Sequence, residues 1–191
     1  PSLESWFDSP VKLAFAADVV ATFVIFAFSM AFNNSSFYDA YWSVIPIAVF
    51  AYWTSVAAPD ASSLRLAAIF TVVFIWGNRL TFNWARGWTG LDHEDWRYVD
   101  FRNQFPGMYW LVSLGGIHFF PTLIVFAGML AAWSAYAPGS RPWSFLDTLG
   151  CIIGFMGILF EWLADRQLNA FVSGPKQPGE TLRTGLWRYS R

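Results

Sequence analysis

Long apolar runs alternate with short polar segments along this chain, and the pattern predicts a bundle of transmembrane helices. A helix needs roughly 20 residues to cross the hydrocarbon core of a bilayer. Five runs approach or exceed that length, and they are Val11–Phe32, Tyr41–Ala58, Leu66–Trp84, Met108–Trp133 and Phe145–Ala164. None of them alternates polar and apolar residues as the strands of a membrane β-barrel do. We therefore predict an all-α fold, a single polytopic transmembrane domain over residues 1–191 with five spans.

The composition agrees with a membrane location. Apolar residues make up 55% of the chain and charged residues only 13%, whereas about 25% charged residues is usual in soluble domains. The 12 Trp and 20 Phe residues suit the aromatic belts found where a bilayer meets water. Because the formal net charge is −1 and no basic stripe occurs, the sequence predicts a lipid bilayer as partner and no nucleic acid.

Basic residues are distributed unevenly between the two sides that five spans would create. The side of the N-terminus carries three, Lys12, Arg65 and Arg141. The opposite side carries eight, which are Arg86, Arg97, Arg102, Arg166, Lys176, Arg183, Arg188 and Arg191. Cytoplasmic segments hold the excess of Lys and Arg in membrane proteins. We therefore predict that the N-terminus lies outside, and that the long loop around residues 86–106 and the C-terminal tail lie in the cytoplasm.

Ionisable side chains fall within or beside the predicted spans, where each costs roughly 2.5–3.5 kcal/mol at mid-bilayer. They are Asp18, Asp39, Arg79, Glu161 and Asp165. A structural pair is the favoured interpretation of Asp18. Asp39 is explained equally well as a first-turn acid that the helix dipole stabilises or as a functional group. Arg79 shares a helical face with Trp76 and Asn83, and it could extend to the interface or pair with Asp39 or Glu161.

The C-terminal tail combines acids with a loop suited to a charged ligand. Glu161 and Asp165 are four residues apart and share one helix face where the last apolar run meets water. Residues 173–191 beyond them are rich in glycine, arginine and aromatic side chains. Such a loop could cradle a phosphorylated ligand with a flat ring.

The sequence predicts no metal site. The acids and histidine of Asp92–Asp95 are contiguous, so their side chains point in different directions, and we expect a solvated loop braced by acid–arginine pairs. His118 is interpreted as a hydrogen-bonded packing residue on an apolar helix, and Cys151 as a buried structural thiol. No glycine-rich motif of a Rossmann fold or a P-loop occurs, so any nucleotide would bind within the membrane bundle.

Six short segments, taken in order along the chain, form a more specific pattern. They are Phe37-Tyr38-Asp39, Tyr41–Pro46, Gly77-Asn78-Arg79-Leu80, His93–Tyr98, Asp165-Arg166-Gln167 and Gly185–Arg191. This pattern resembles the steroid 5-alpha-reductase-like membrane family, specifically its bacterial branch of unknown function. The resemblance implies a seven-helix fold in a bacterial inner membrane, so we expect this chain to be a fragment without its N-terminal Met and its last two helices. It also implies NADPH-dependent reduction of a carbon–carbon double bond conjugated to a ketone, in a small hydrophobic substrate such as a steroid or isoprenoid.

The resemblance implies roles for individual residues as well. The family polarises the ketone with an acid seven positions before a proline, and Asp39 stands seven before Pro46. A tyrosine assists this acid in the family, but its position here holds Trp76, so Tyr38 or Tyr41 would supply the phenol. Contacts with NADPH are implied for seven residues, which are Asn78, Arg79, Glu161, Asp165, Arg166, Arg183 and Tyr189.

Two other functions stay open on the sequence alone. A membrane methyltransferase of the isoprenylcysteine carboxyl type has a similar tail but uses S-adenosylmethionine. A non-catalytic scaffold or carrier would use its polar groups only to line a cavity. The Asp39-to-Pro46 spacing and the Asn78-Arg79 pair favour the reductase, and we expect the fragment by itself to be inactive.

Overall fold

The computed structural model describes residues 8–139, 141–175, 177 and 179–189. Over these residues the chain is helical and contains no β-strand, which confirms the predicted all-α fold. The elements are α1 (Pro10–Ala31), α2 (Phe37–Ser55), α3 (Ser63–Gly87), α4 (Trp96–Gln104), α5 (Tyr109–Trp133), α6 (Phe145–Ser173) and a short 3₁₀-helix (Gly185–Arg188).

Polar side chains fix where several of these helices begin. The first backbone N–H groups of a helix have no partner within it, and a side-chain oxygen just before the helix can accept from them. Ser9 does so for α1 and Ser62 for α3, at 3.5 Å and 3.4 Å. Ser144 and Asp147 form a reciprocal capping box at the start of α6.

Four helices are long and apolar enough to cross a membrane, and they are α1, α3, α5 and α6. They indicate an integral membrane protein and confirm the predicted membrane helices at these positions. The predicted span Tyr41–Ala58 corresponds to α2, which is not among the four. Tyr38, Asp39 and Ser43 in the first two turns of α2 lower its hydropathy. Five spans and a seven-helix fold therefore remain predictions.

The chain divides into two compact units, Pro1–Trp143 and Ser144–Arg191. The first unit contains α1 to α5, and the second contains α6 and the 3₁₀-helix. One domain over residues 1–191 remains a prediction.

Helix α2 is the centre of the first unit, where it packs against α1, α3 and α5. Its contact with α3 is very close at Gly77, where a Cβ atom would lie 2.4 Å from the Ser43 carbonyl oxygen and 2.9 Å from Ile47 Cδ1. Small residues allow such close helix crossings in membranes. The Ser43 and Thr81 hydroxyls, 2.8 Å apart, join the two helices beside this crossing.

Helix α5 contains a π-helical segment, Ser113–Phe119, just before Pro121. Proline cannot donate a backbone hydrogen bond, and neighbouring polar groups or local π geometry compensate for this in membrane helices. Here His118 Nδ1 donates to the Ser113 carbonyl oxygen at 2.9 Å, and His118 Nε2 then accepts from the Ser29 hydroxyl at 3.1 Å. His118 is fully buried, which agrees with its predicted role as a packing residue.

In the second unit, α6 continues to Ser173, nine residues beyond the predicted end at Ala164. The apolar run alone set that predicted end, but the polar residues that follow it extend the same helix. Glu161 and Asp165 therefore lie inside α6 and not at its end, although they still share one face.

The 3₁₀-helix folds back onto α6 within this second unit. The Leu186 N–H donates to Gln167 Oε1 at 2.8 Å, and Trp187 Nε1 donates to the Ala164 carbonyl oxygen at 2.9 Å. Gly185 has a φ of +60°, and a Cβ atom there would lie 2.4 Å from Gln167 Oε1. Only glycine meets both conditions without strain.

Candidate functional site

The loop between α3 and α4 is anchored on the turn that joins α1 to α2. Asn34 Nδ2 donates to the carbonyl oxygens of Leu91 and His93, both at 2.9 Å. The Asp95 N–H donates to the Ser36 hydroxyl at 2.8 Å. The predicted acid–arginine pairs are present in this largely exposed loop, and the hydrogen bonds from Asn34 and to Ser36 also hold it against the bundle.

Glu94 is the main anchor of the loop. Its carboxylate accepts from the Ser35 N–H at 2.7 Å and from the Tyr109 hydroxyl at 3.0 Å. Arg102 from α4 donates to both carboxylate oxygens, with a shortest distance of 3.0 Å. The same guanidinium lies 3.8 Å from the centre of the Tyr109 ring, a favourable cation–π distance. Glu94 thus ties the loop to α4, α5 and the α1–α2 turn.

Asp95 sets the start and direction of α4. It caps the helix by accepting from the Arg97 N–H at 2.9 Å, and its carboxylate holds the Arg97 guanidinium at 2.7 Å and 3.0 Å. Partial burial would raise the pKa of Asp95, but the hydrogen bonds and charge of Arg97 outweigh it and lower that pKa. Asp95 is therefore an ionised anchor that places Tyr98 in the first turn of α4.

Tyr98 donates a short hydrogen bond, 2.5 Å, to Asp39 Oδ1 in the first turn of α2. Arg97 Nη2 lies 3.9 Å from the same oxygen. The Tyr98 residue is 7% exposed and the Asp39 side chain 17%. Burial raises the pKa of Asp39 to about 6, against the opposing effects of the Tyr98 hydrogen bond and the Arg97 charge. The pKa of Tyr98 is raised by burial and by the Asp39 charge, so Asp39 is the member of the pair that titrates near neutral pH.

The Asp39 carboxyl opens into a pocket of about 200 Å³ at the end of α3. The residues that line it are Ser36, Asp39, Asn83, Trp84, Gly87, Trp88, His93 and Asp95. The Trp84 and Trp88 rings lie 4.9 Å apart at an angle of 37°. Sites for drug-sized molecules occupy roughly 300–1,000 Å³, so this pocket accommodates one end of a ligand, with an acid at one wall and indoles at another.

A second pocket, of about 510 Å³, lies in the second unit. Its lining consists of Phe171, Gly179, Glu180, Thr181, Leu182, Arg183 and Thr184. The Arg183 guanidinium donates to the Thr181 hydroxyl at 3.2 Å. One guanidinium and two threonine hydroxyls are donors suited to an anionic ligand such as a phosphate.

Residues 25–191 match the family described as "Protein of unknown function (DUF1295)". The chain belongs to the DUF1295 family. No curated protein matches it, and no solved structure matches it. The function of this family is unknown, so the chemistry proposed for this DUF1295 protein rests on its own residues.

Of the three predicted catalytic residues in the DUF1295 chain, only Asp39 lines the first pocket. Trp76 packs edge-on against Trp42, with ring centres 5.7 Å apart. Tyr38 is buried, and its hydroxyl lies 2.9 Å from Thr122 Oγ1 on α5. The phenol that reaches Asp39 is Tyr98, which sequence reasoning missed. An Asp directly before the first apolar residue of a segment is a helix N-cap signal, and applied to Asp95 it would have placed Tyr98 in the first turn of a helix.

The residues predicted to contact a cofactor lie in both units of the DUF1295 chain. On α3, Asn78 Nδ2 donates to the Phe74 carbonyl oxygen at 2.8 Å, and Arg79 is half-buried. Asn83, which shares a face with Arg79, lines the first pocket.

In the second unit, Arg183 lines the larger pocket. The Arg166 guanidinium lies 5.5 Å from the centre of the Trp162 ring, and Tyr189 is 84% exposed. Glu161 and Asp165 lie on α6 outside the lining of this pocket.

Proposed function

We propose that this DUF1295 protein is a membrane-embedded, NADPH-dependent reductase of a conjugated carbon–carbon double bond in a lipid-like enone. The observation that carries the proposal is the pair of half-buried Asp39 and buried Tyr98 at a pocket lined by two indole rings. A carboxyl group with a pKa of about 6 can exist in the protonated form close to neutral pH, and general acids work best when their pKa is near the working pH.

The pair suits the polarisation of a ketone. Tyr98 holds Asp39 Oδ1 in place, which leaves Oδ2 as the atom that carries and donates a proton. In the proposed reaction a hydride adds to the β-carbon of the enone, the electrons of the double bond move toward the carbonyl, and its oxygen takes the Asp39 proton. Stabilisation of the charge that develops on this oxygen lowers the barrier. The enol then returns to the ketone as the α-carbon gains a proton from water and the oxygen returns its proton to Asp39.

The tail supplies groups that fit a phosphorylated cofactor. The Arg183 guanidinium and the hydroxyls of Thr181 and Thr184 line one pocket, and such donors bind phosphate. When bound, NADPH supplies the hydride. We propose Asn78, Arg79, Glu161, Asp165, Arg166 and Tyr189 as further contacts.

The size of the first pocket supports a substrate that enters it end-first. About 200 Å³ accommodates the ring that bears the ketone, and the Trp84 and Trp88 faces suit a flat apolar ring. The rest of a steroid-like or isoprenoid-like substrate would remain in the bilayer. The distribution of basic residues supports a cytoplasmic location for this loop and for the tail, with the N-terminus outside.

The proposal is tested with purified full-length protein in lipid nanodiscs. We expect NADPH to raise the midpoint of thermal unfolding and S-adenosylmethionine to leave it unchanged, and we expect NADPH oxidation with at least one member of a cyclic-enone panel. Asp39→Asn should lose turnover but keep the thermal response to NADPH. Stabilisation by S-adenosylmethionine alone would support the methyltransferase instead, and a response to neither cofactor would support a carrier or scaffold.

A further inference from the structure

A second cluster of polar groups lies between α1, α2 and α5, apart from the lining of the Asp39 pocket. Its members are Asp18 and Thr22 on α1, Tyr38 and Tyr41 on α2, and Thr122 on α5. Asp18 and Thr22 are fully buried, and Tyr38 and Thr122 are each 2% exposed. An ionisable group inside a membrane span is a candidate functional site by default. The cluster plays no part in the reductase chemistry proposed above.

The Tyr41 hydroxyl is the one side-chain donor to the Asp18 carboxyl group among the described residues. It donates to Asp18 Oδ1 at 2.5 Å and lies 2.9 Å from the Asp18 carbonyl oxygen. That carbonyl oxygen also accepts from the Thr22 hydroxyl at 2.9 Å. A full negative charge inside a membrane span needs more than one hydrogen bond to offset its cost, so these surroundings favour the neutral carboxyl group.

The ionised form of Asp18 would leave its surroundings unsatisfied. Its Oδ2 atom is buried and has no hydrogen-bond partner among the described residues. Within the same residues no ion pair joins Asp18 to a Lys or Arg, and Lys12 stands six positions earlier on α1. Helix α1 packs against α2 and α5. The titratable groups that these helices place near Asp18 are Tyr41 and Tyr38, with Asp39 and His118 lying beyond Tyr38.

The hydroxyl groups of the cluster also have a single consistent direction. Thr22 donates its one hydrogen to the Asp18 carbonyl oxygen at 2.9 Å. The 3.0 Å contact between Thr22 and Thr122 therefore uses the hydrogen of Thr122, and the 2.9 Å contact between Thr122 and Tyr38 uses the hydrogen of Tyr38. The donors run from Tyr38 through Thr122 and Thr22 to the Asp18 backbone carbonyl oxygen. The row therefore joins α1, α2 and α5 beside Asp18, and it ends on the backbone and not on the carboxyl group.

We propose that Asp18 is a proton-binding site inside the membrane. The ligand is a proton, held on the buried Asp18 Oδ2 atom while Oδ1 accepts from the Tyr41 hydroxyl. Oxygen ligands also suit a small hard cation. The surroundings favour the proton, because a cation needs several oxygen ligands and Oδ2 has no polar partner among the described residues.

Infrared spectroscopy of the full-length protein in nanodiscs tests the site through the C=O stretch of protonated carboxyl groups. At pH 8 and without sodium, Asp39 is ionised, and we expect one buried carboxyl band that is retained in Asp39→Asn and lost in Asp18→Asn. Tyr41→Phe keeps the carboxyl group but removes its partner, so the band should remain and shift in frequency. This variant keeps the test decisive if Asp18→Asn fails to fold.

Three results would overturn the assignment. Absence of the band in the wild-type protein at pH 8 without sodium would mean that Asp18 is ionised. A band that persists in Asp18→Asn would belong to another residue. A band that disappears when sodium chloride replaces choline chloride would identify a cation site and not a proton site.

Discussion

Removal of the Tyr98 hydroxyl should make Asp39 a weaker acid. The Tyr98 O–H donates to Asp39 and stabilises its ionised form, so Tyr98→Phe should raise the pKa of Asp39 further from its value of about 6. A hydrogen bond to a charged group is worth about 1.5–3 kcal/mol, which moves the midpoint of titration upward by roughly one to two pH units. At neutral pH the carboxyl group would then change from mostly ionised to at least half protonated.

Two measurements follow the Asp39 titration. The infrared C=O band that is lost in Asp39→Asn belongs to protonated Asp39, and its intensity as a function of pH gives the midpoint of the Asp39 titration. Thermal unfolding in nanodiscs reports it through stability, because the folded-state pKa is raised above the ordinary value of 3.8. Such a group contributes stability that is fully present below about 3.8 and is lost as the pH rises through about 6. The difference between the two values corresponds to about 3 kcal/mol.

Tyr189→Phe is the control for this prediction, since Tyr189 is an exposed phenol in the other unit. It should leave the midpoint of Asp39 unchanged. An unchanged or lowered midpoint in Tyr98→Phe would refute the assignment of Tyr98 as the donor that stabilises the Asp39 carboxylate.

Three further substitutions test the structure around the site. Gly77→Ala should lower the free energy of unfolding by about 1–3 kcal/mol, because it overpacks the α2–α3 crossing, and the midpoint of thermal unfolding should fall. Gly87→Ala should leave that midpoint unchanged, because the space around its Cβ position is open. Glu94→Gln removes the charge that Arg102 binds and should cost about 1.5–3 kcal/mol, with faster proteolysis in the loop before α4. Gly185→Ala should release the 3₁₀-helix from α6, and the fluorescence of Trp187 should change as a result. Gly157→Ala is the control, because Gly157 is a helical position with no neighbour within 4 Å of its Cβ position, and it should leave that fluorescence unchanged.

The sequence predicted the helices well where the deciding information was local. The apolar run that begins at Val11 became α1 with its ends shifted by one residue each, because hydropathy and a serine cap are both properties of neighbouring residues. The end of α6 was placed nine residues too early for a related reason. A helix that leaves the apolar layer can continue through polar residues, and hydropathy alone does not record this.

The partner of Asp39 could not be predicted in the same way. The hydrogen bond from Tyr98 joins residues 59 positions apart, as do those from Asn34 to His93 and from Asp95 to Ser36. Such contacts depend on how a loop folds back over the bundle, which no local pattern specifies. The family resemblance pointed instead to the position of Trp76 on α3, and the Trp76 ring packs against Trp42.

Helix α2 keeps the two proton-binding groups apart. Consecutive residues of an α-helix project roughly 100° from each other, so Tyr38 reaches the hydroxyl row of Asp18 while Asp39 reaches Tyr98 and the loop pocket. The close contact at Gly77 fixes the position of α2 against α3. It therefore also fixes the directions in which Tyr38 and Asp39 project from α2. Gly77→Ala should accordingly disturb the carboxyl bands of Asp18 and Asp39 together, whereas Tyr98→Phe should move only that of Asp39. If Tyr98→Phe also moved the Asp18 band, the two groups would have to be treated as one coupled site.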